Sequence, residues 1–279
     1  MSNIYFFGDT HGSLDIDKIF MPSYQADDYI IVCGDFGVLW SDEEGVFKQE
    51  NMLEKEAKLK ERIKNLPCTL LFIDGNHENF NRLNALKQVE KFESIVGEYI
   101  QDKCYHLKRG NIYNIAGHTI FTMGGALSID KAWRAERLSW WKQEAITQME
   151  LENALHNIQN YKGKIELVVT HTCPQSFLSP LSELINISHK IHDENPYKLE
   201  KIKNALIDNH QKPHFWIFGH WHRDVNFTSD EIEANTLYLH CLKLDENKNF
   251  ERFDFRKEIF YAKTRNRQQK KQEQNNKIT

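Results

Sequence analysis

Asp9-Thr10-His11, Gly34-Asp35, Gly75-Asn76-His77-Glu78, His171 and Gly219-His220-Trp221-His222 are the segments whose residue types and spacing can do chemistry. A solitary loop histidine is usually hydrogen-bonded structure, and a solitary aspartate there usually caps a turn or a helix. Asp-x-His and His-x-His say more. Residues two apart on extended backbone face the same side, so each pair can chelate one ion or divide between two neighbouring ones. Imidazole mixed with carboxylate and carboxamide oxygen suits borderline divalent metals such as Mn, Fe, Zn, Co or Ni. No thiolate belongs to the set, which argues against a structural zinc finger. Glycine flanks nearly every piece and permits tight turns and close backbone approach.

Such residues act together only if the chain brings them together. The run Asn3-Ile4-Tyr5-Phe6-Phe7 reads as a buried strand ending in Gly8-Asp9-Thr10-His11-Gly12. The same grammar recurs where 29–33 runs into Gly34-Asp35, 68–73 into Asp74-Gly75-Asn76-His77, 165–170 into His171, and 215–218 into Gly219-His220. In a layered α/β sheet, sites gather outside the carboxyl ends of the strands. Polar residues repeatedly placed there are expected to converge. Between the strands, 44–65 (followed by Pro67), 140–161 (stopped near Gly163) and 198–209 read as helices. Residues 105–124 alternate apolar runs with turn residues and predict a meander of strands, and 237–244 predict a late strand. Residues 1–262 are thus expected to form one domain. From Lys263 to Thr279 the sequence is basic and Gln/Asn-rich, either a solvated tail or an arm for nucleic acid or an acidic partner.

The 279 residues are 40% hydrophobic and 27% charged, the balance of an ordinary soluble domain large enough to bury a core without staples. A formal charge of -4 excludes a whole-molecule trap for nucleic acid, so an anionic substrate must be drawn by a local field. Five dispersed cysteines without a CxxC pair predict reduced thiols and a cytoplasmic protein. Cys173, two residues from His171, is expected to be a buried spacer. No secretory leader pattern is present, and no apolar run approaches the ~20 residues that span a bilayer.

Taken in order, the blocks resemble the calcineurin-like metallophosphoesterase superfamily, with its D-x-H, G-D, G-N-H-[DE], H and G-H-x-H pattern, from Ile4 to His222. The resemblance implies a four-layer α/β/β/α sandwich of two mixed β-sheets flanked by helices. It implies that Asp9, His11 and His222 hold one divalent ion (Mn favoured), that Asn76, His171 and His220 hold a second, and that Asp35 bridges the two. His77 matches the family's catalytic histidine, which is not a ligand. The chemistry implied is hydrolysis of a phosphate mono- or diester by metal-activated water. Two cations ~3.5–4 Å apart can clamp the attacking and leaving oxygens of an in-line displacement. A free histidine beside them can protonate the leaving oxygen, with Glu78 or another acid orienting it.

The second block continues Gly34-Asp35-Phe36-Gly37-Val38-Leu39-Trp40, not the G-D-x-V-D-R-G of the family's Ser/Thr protein phosphatases. The phosphate-gripping arginine of that motif is missing, which argues against that substrate class. Arg134 is the candidate substitute, in a Gly124-to-Arg134 stretch resembling the GG-x-x-S-x-D-K-x-x-R of small bacterial and phage-type members. A structural Asp130–Arg134 ion pair is the competing expectation. Arg82, Arg137 and Arg223 are weaker candidates. Trp40, Trp133, Trp140, Trp141 and Trp221 could wall the cleft, with core packing expected for most and Trp221, between two candidate ligands, the exception. Tyr113, Trp133, Trp140 and Arg134 could shape a base-binding wall. That wall would suit a nuclease or a cyclic-nucleotide phosphodiesterase acting on nucleic acid or a nucleotide. A non-catalytic scaffold of the same fold is the third reading, and the intact set of candidate ligands with His77 argues against it.

Overall fold

Apolar runs that alternate between two destinations build the core. The computed structural model describes residues 2–40, 50–128, 130–137, 139–186, 193–257 and 259–260. Among them, β1 (Ile4–Phe7) and β2 (Tyr29–Cys33) precede α1 (Glu50–Lys64), β3 (Thr69–Ile73) and α2 (Phe80–Asn84). Next come β4 (Lys87–Lys91), β5 (Ser94–Ile100), β6 (Cys104–Leu107), β7 (Asn111–Ile115) and β8 (His118–Met123). The second half carries α3 (Gln148–Asn160), β9 (Leu167–Thr170), α4 (Leu178–Ile185), α5 (Asn195–Asp208) and β10 (Phe215–Phe218). The series closes with β11 (Val225–Ser229), β12 (Ile232–Thr236), β13 (His240–Leu244) and β14 (Phe250–Asp254).

One sheet has the order β14-β13-β1-β2-β3-β6-β5-β4, the other β11-β12-β10-β9-β8-β7. Both are mixed. Their central strands are parallel: β1, β2, β3 and β6 in the first sheet, and β8, β9, β10 and β12 in the second.

The period of two in each strand decides the layers. Ile4 and Phe6, Ile31 and Cys33, and Leu71 and Ile73 face the second sheet, meeting Leu167, Val169 and Ile217. Tyr5 and Phe7, Ile30 and Val32, and Leu70 and Phe72 face the other way, onto Ile16, Ile19 and the Leu59 and Ile63 side of α1. Val168, Trp216 and Phe218 likewise turn outward onto Leu151, Ala154 and Ile158 of α3 and Leu199, Ile202 and Leu206 of α5. Burial on both faces explains why these strands read as unbroken apolar runs. The result is the expected α/β/β/α sandwich of two mixed sheets flanked by helices.

Several local expectations change. The helix expected over 140–161 begins at Gln148, because Thr147 and Glu150 form a capping box there. Residues 142–144 form only a 3-10 turn. The helix expected over 198–209 starts earlier, at Asn195, with Pro196 in its first turn. The meander expected over 105–124 divides between the sheets: β6 pairs with β3, while β7 and β8 form a hairpin in the second sheet. The late strand covers only His240–Leu244, since 237–239 form a loop, and Asp224 holds the N–H groups of Tyr238, Leu239 and His240. The expected helical stretch 44–49 and the tail 263–279 lie outside the described residues. Among the described residues, no helix is long and apolar enough to cross a membrane.

Candidate metal centre

The segments singled out in the sequence all follow parallel strands, so the two sheets deliver them to one edge of the sandwich. Asp9 and His11 follow β1, Asp35 follows β2, Asn76 and His77 follow β3, His171 follows β9, and His220 and His222 follow β10. The turns are tight. His11, Asp35, His220 and His222 all have positive φ, between 43° and 66°, a region that costs a residue with a Cβ energy and recurs at functional sites. Gly75 shows the crowding: a Cβ there would lie 2.1 Å from Asp35 Oδ1 and 2.7 Å from His171 Nε2.

The convergence is tight enough to coordinate ions. Asp35 Oδ2 lies 3.4 Å from His11 Nε2, and its Oδ1 lies 3.3 Å from His171 Nε2. Asn76 Oδ1 sits 3.1 Å from both His171 Nε2 and His220 Nδ1. Asp9 Oδ2 lies 2.8 Å from His222 Nε2, yet out of alignment for a hydrogen bond, so this buried oxygen has no hydrogen-bond partner. Among the described residues, three groups have ligand atoms mutually within 4.8 Å: Asp9, His11 and His222; His11, Asp35 and His77; and Asp9, Asp35 and His171. The residues present therefore fit divalent cations. The orphaned Asp9 oxygen and the ring nitrogens turned toward oxygens both ask for one.

Neighbouring groups orient these atoms. His171 Nδ1 is 2.9 Å from the Cys33 carbonyl, which fixes the tautomer that leaves Nε2 facing Asn76 and Asp35. The other oxygens of the two aspartates accept backbone N–H groups, Asp9 Oδ1 from His220 and Asp35 Oδ1 from His77. Asn76 Nδ2 donates to Ser128 Oγ at 3.1 Å, and Ser128 Oγ donates to buried Glu144 at 2.6 Å. That chain turns the Asn76 carbonyl oxygen toward the histidines.

The electrostatics follow from two buried carboxylates side by side. Burial pushes Asp35 up, but the rings of His171, His11 and His77 outweigh it and hold the carboxyl well below its usual range. Burial likewise opposes His222 and His171 at Asp9, which ends below the carboxylate norm. In return, against the pull of burial, Asp15 and Asp35 raise His11 to about 10, and Asp35 and Asp9 raise His171 to about 9. The site demands positive charge. His220 goes the other way, to about 3, through burial and the charge of His171, and so stays in the neutral form that a ligand needs.

Glu78 does not orient His77. It is fully buried and accepts the Phe36 and Gly37 N–H groups, bracing the loop that carries Asp35. Burial and the charges of Asp35 and Asp74 raise its pKa well above the carboxylate norm. His77 Nε2 instead lies 4.0 Å from Asp35 Oδ2, and burial lowers its pKa.

Beside the cluster opens a cleft of about 350 Å³ lined by His11, Ser13, Leu14, Gly37, Trp40, Met52, His77 and Arg134. The expected Asp130–Arg134 ion pair is present, and Arg134 also lines the cleft. Its Nε donates to Asp130 Oδ1 at 2.7 Å and its Nη1 to the Ser139 carbonyl at 3.0 Å, while the residue still lines the cleft.

The aromatic wall follows expectation only in part. Tyr113 is buried between the sheets with its hydroxyl bonded to Ile95 O, and Trp133 is 91% exposed. Trp221 packs on the outer core of the second sheet, edge-on to His220. Of the tryptophans expected there, Trp40 lines the cleft, and Trp141 is buried in the core of the first sheet. Arg82 is tied to Glu56 by two bonds, and Arg223 is bonded to its neighbour's carbonyl, His222 O. Cys173 is a buried spacer, and all five cysteines are free and buried.

Sequence reasoning missed Lys18 and Arg109. Lys18 lies wholly inside, with Nζ bonded to the carbonyls of Asp9 and Tyr238. Burial lowers it to about 8, against the opposing pull of Asp9 and Asp15. In the sequence it reads as a surface lysine between Asp17 and Ile19. Arg109 reads as a turn residue, yet it is buried against Asp74.

The family model described as calcineurin-like phosphoesterase matches residues 2–224. No curated protein matches the chain. Among solved structures, the chain is similar to a phosphopantetheinyl hydrolase from Mycobacterium tuberculosis, with 11% identity, TM-score 0.46, and coverage of 85% of this chain and 89% of that one. It is also similar to a novel archaeal phosphodiesterase, with 14% identity, TM-score 0.39, and coverage of 90% and 99%. A putative 5'-nucleotidase from Staphylococcus aureus shares 12% identity at TM-score 0.46, over 91% of this chain and 53% of that one.

Proposed function

The chain belongs to the calcineurin-like phosphoesterase family and is a metal-using phosphoric ester hydrolase; on that premise, we propose a dinuclear centre that hydrolyses a phosphate mono- or diester. Asp9, His11 and His222 would hold one ion, Asn76, His171 and His220 the other, with Asp35 shared between them. Manganese is the favoured metal, with Fe, Zn, Co and Ni compatible with the same donors. One observation carries this reading: the Asp35 carboxylate faces a ring from each sheet, His11 Nε2 at 3.4 Å and His171 Nε2 at 3.3 Å. Bound divalent ions supply the acidity that makes hydroxide available near neutral pH and the charge that holds phosphoryl oxygens.

The chain's own groups do the rest. Asn76 contributes a neutral oxygen, so the centre keeps net positive charge for an anion. His77 is the catalytic residue; facing the cleft, it donates a hydrogen bond or proton to the leaving oxygen. Arg134, with Nε and Nη1 fixed, presents the remaining guanidinium nitrogen to a non-bridging phosphoryl oxygen. Asp130 holds that arginine in place.

Purified chain with Mn should turn over p-nitrophenyl phosphate, its bis ester, or both. No turnover of either by protein shown to hold two ions per chain would overturn the assignment. The partly apolar cleft beside His77, with Trp40, Leu14 and Met52, favours a leaving group with an aromatic or apolar body and keeps the nucleotide reading in play. Cyclic nucleotides and labelled single-stranded DNA or RNA, assayed under the same conditions, separate that reading from a small-ester phosphatase.

A further inference from the structure

We propose that Tyr238 is a positioning residue that sets His11 and His222 together and is itself seated by Lys18. The inference rests on the dinuclear reading above and concerns only the ion assigned to Asp9, His11 and His222. Tyr238 lies in the loop before β13; it touches His222 directly, reaches His11 through Asp15, and reaches the Asp9 backbone through Lys18.

Its ring stacks on His222, with centroids 4.6 Å apart and planes 17° from parallel. This fixes the plane of the most exposed candidate ligand, whose side chain is 44% exposed. Its hydroxyl donates to Asp15 Oδ2 at 3.0 Å, and the same oxygen lies 3.5 Å from His11 Nδ1. The order is therefore hydroxyl, carboxylate, imidazole, with His11 Nε2 left facing Asp35. A carboxylate on the far nitrogen of a ligating histidine fixes its tautomer and orientation and raises its basicity.

Lys18 closes the arrangement from below. Its ammonium bonds to the carbonyls of Asp9 and Tyr238 and sits 4.8 Å from the centre of the Tyr238 ring. Asp224 fastens the loop from the other side, accepting the N–H groups of Tyr238, Leu239 and His240 at 2.8, 3.0 and 2.8 Å. Because Asp224 lies two residues beyond His222, the strap joins the His222 loop to the Tyr238 loop directly. Gly8 completes the contact, since a Cβ there would lie 1.8 Å from the Leu237 carbonyl. One side chain thus couples two candidate ligands from different sheets, and its seat touches the backbone of the third.

The test is a titration of the chain, wild type, Tyr238→Phe and Tyr238→Leu, with Mn. Calorimetry reads the affinity and number of ions, and electron paramagnetic resonance reads the spin coupling between them. For Tyr238→Leu we expect the affinity for one ion to fall about ten- to a hundredfold with the other unchanged. The coupled signal should give way to a mononuclear one, while circular dichroism stays that of the wild type. Tyr238→Phe keeps the stacked ring and loses only the hydroxyl, so its loss should be smaller and confined to the same ion. A folded Tyr238→Leu variant that binds both ions with wild-type affinity overturns the inference. Where that variant does not fold, Tyr238→Phe decides, and wild-type affinity for both ions in it overturns the inference as well. A wild-type chain that saturates with one ion overturns the dinuclear reading instead, a result visible before any variant is compared.

Discussion

Arg109 clasps Asp74 through two guanidinium nitrogens, Nε at 2.9 Å and Nη2 at 2.6 Å, two residues before Asn76. The same guanidinium bonds to Glu150 and to the carbonyls of Gln143, Glu144 and Ala145. It therefore ties the end of β3 to the segment whose Glu144 holds Ser128, and through Ser128 the Asn76 amide.

Arg109→Met leaves Asp74 buried with His106 as its remaining ionic partner. Removing one member of a buried pair costs about 3–5 kcal/mol, and chemical denaturation should read that loss. Burial opposes Arg109 and His106 at Asp74, and the net effect lowers its pKa. A depressed carboxyl contributes stability above its unfolded pKa of ~3.9 and loses it as pH falls through the folded value. The variant should therefore lose most of its stability deficit relative to wild type in strong acid. An equal deficit at all pH values would contradict the ionic account.

His77→Ala removes a ring outside the proposed ligand sets. We expect kcat to fall about 10²- to 10⁴-fold, with two ions still bound by elemental analysis. Full activity would remove His77 from the chemistry and leave the metal assignment intact.

Arg134→Ala tests the phosphate grip. Hydrogen bonds to charged groups are worth about 1.5–3 kcal/mol, so kcat/KM should fall roughly ten- to a hundredfold. Asp130→Asn keeps the arginine but loosens it, and should lie between the variant and wild type. Unchanged kinetics in both would leave Asp130 and Arg134 as a surface ion pair.

Metal binding should release protons. The carboxylates lift His11 to about 10 and His171 to about 9, so without a cation both rings are protonated at neutral pH. Filling both sites displaces about two protons per chain, one from each ring, and apparent affinity rises with pH toward those values. Calorimetry in buffers of different ionisation enthalpy counts the protons. Affinity that is flat between pH 6 and about 9 would contradict this charge balance.

The sandwich and the candidate ligands were legible because each ligand sits at the end of an apolar run, beside glycine, in a strand whose direction the topology preserves. The residues that hold those ligands were not. Lys18 looks like any lysine on a short amphipathic turn, and its burial depends on Tyr238, 220 positions later. Glu78 stands next to His77 in the sequence but turns away to the Phe36 amide, because its loop needs a partner for that N–H more than the histidine needs a carboxylate. The helix expected from residue 140 starts at Gln148 because a single threonine–glutamate exchange of hydrogen bonds outweighs the apolar spacing before it. The 105–124 stretch splits between sheets because strand runs carry no mark of which sheet they join.

Asp9, His11, Asp35 and Asn76 hang from one sheet, and His171, His220 and His222 hang from the other. Ions held between them would act as rivets through two stacked plates. Sliding one plate over the other by a fraction of a side chain would shear every rivet at once, with no ligand altered. The apolar filling between the plates, including Ile31, Val169 and Ile217, therefore also sets the jaw width of the catalytic vice. A methyl group lost there should register in metal retention well before it registers in unfolding.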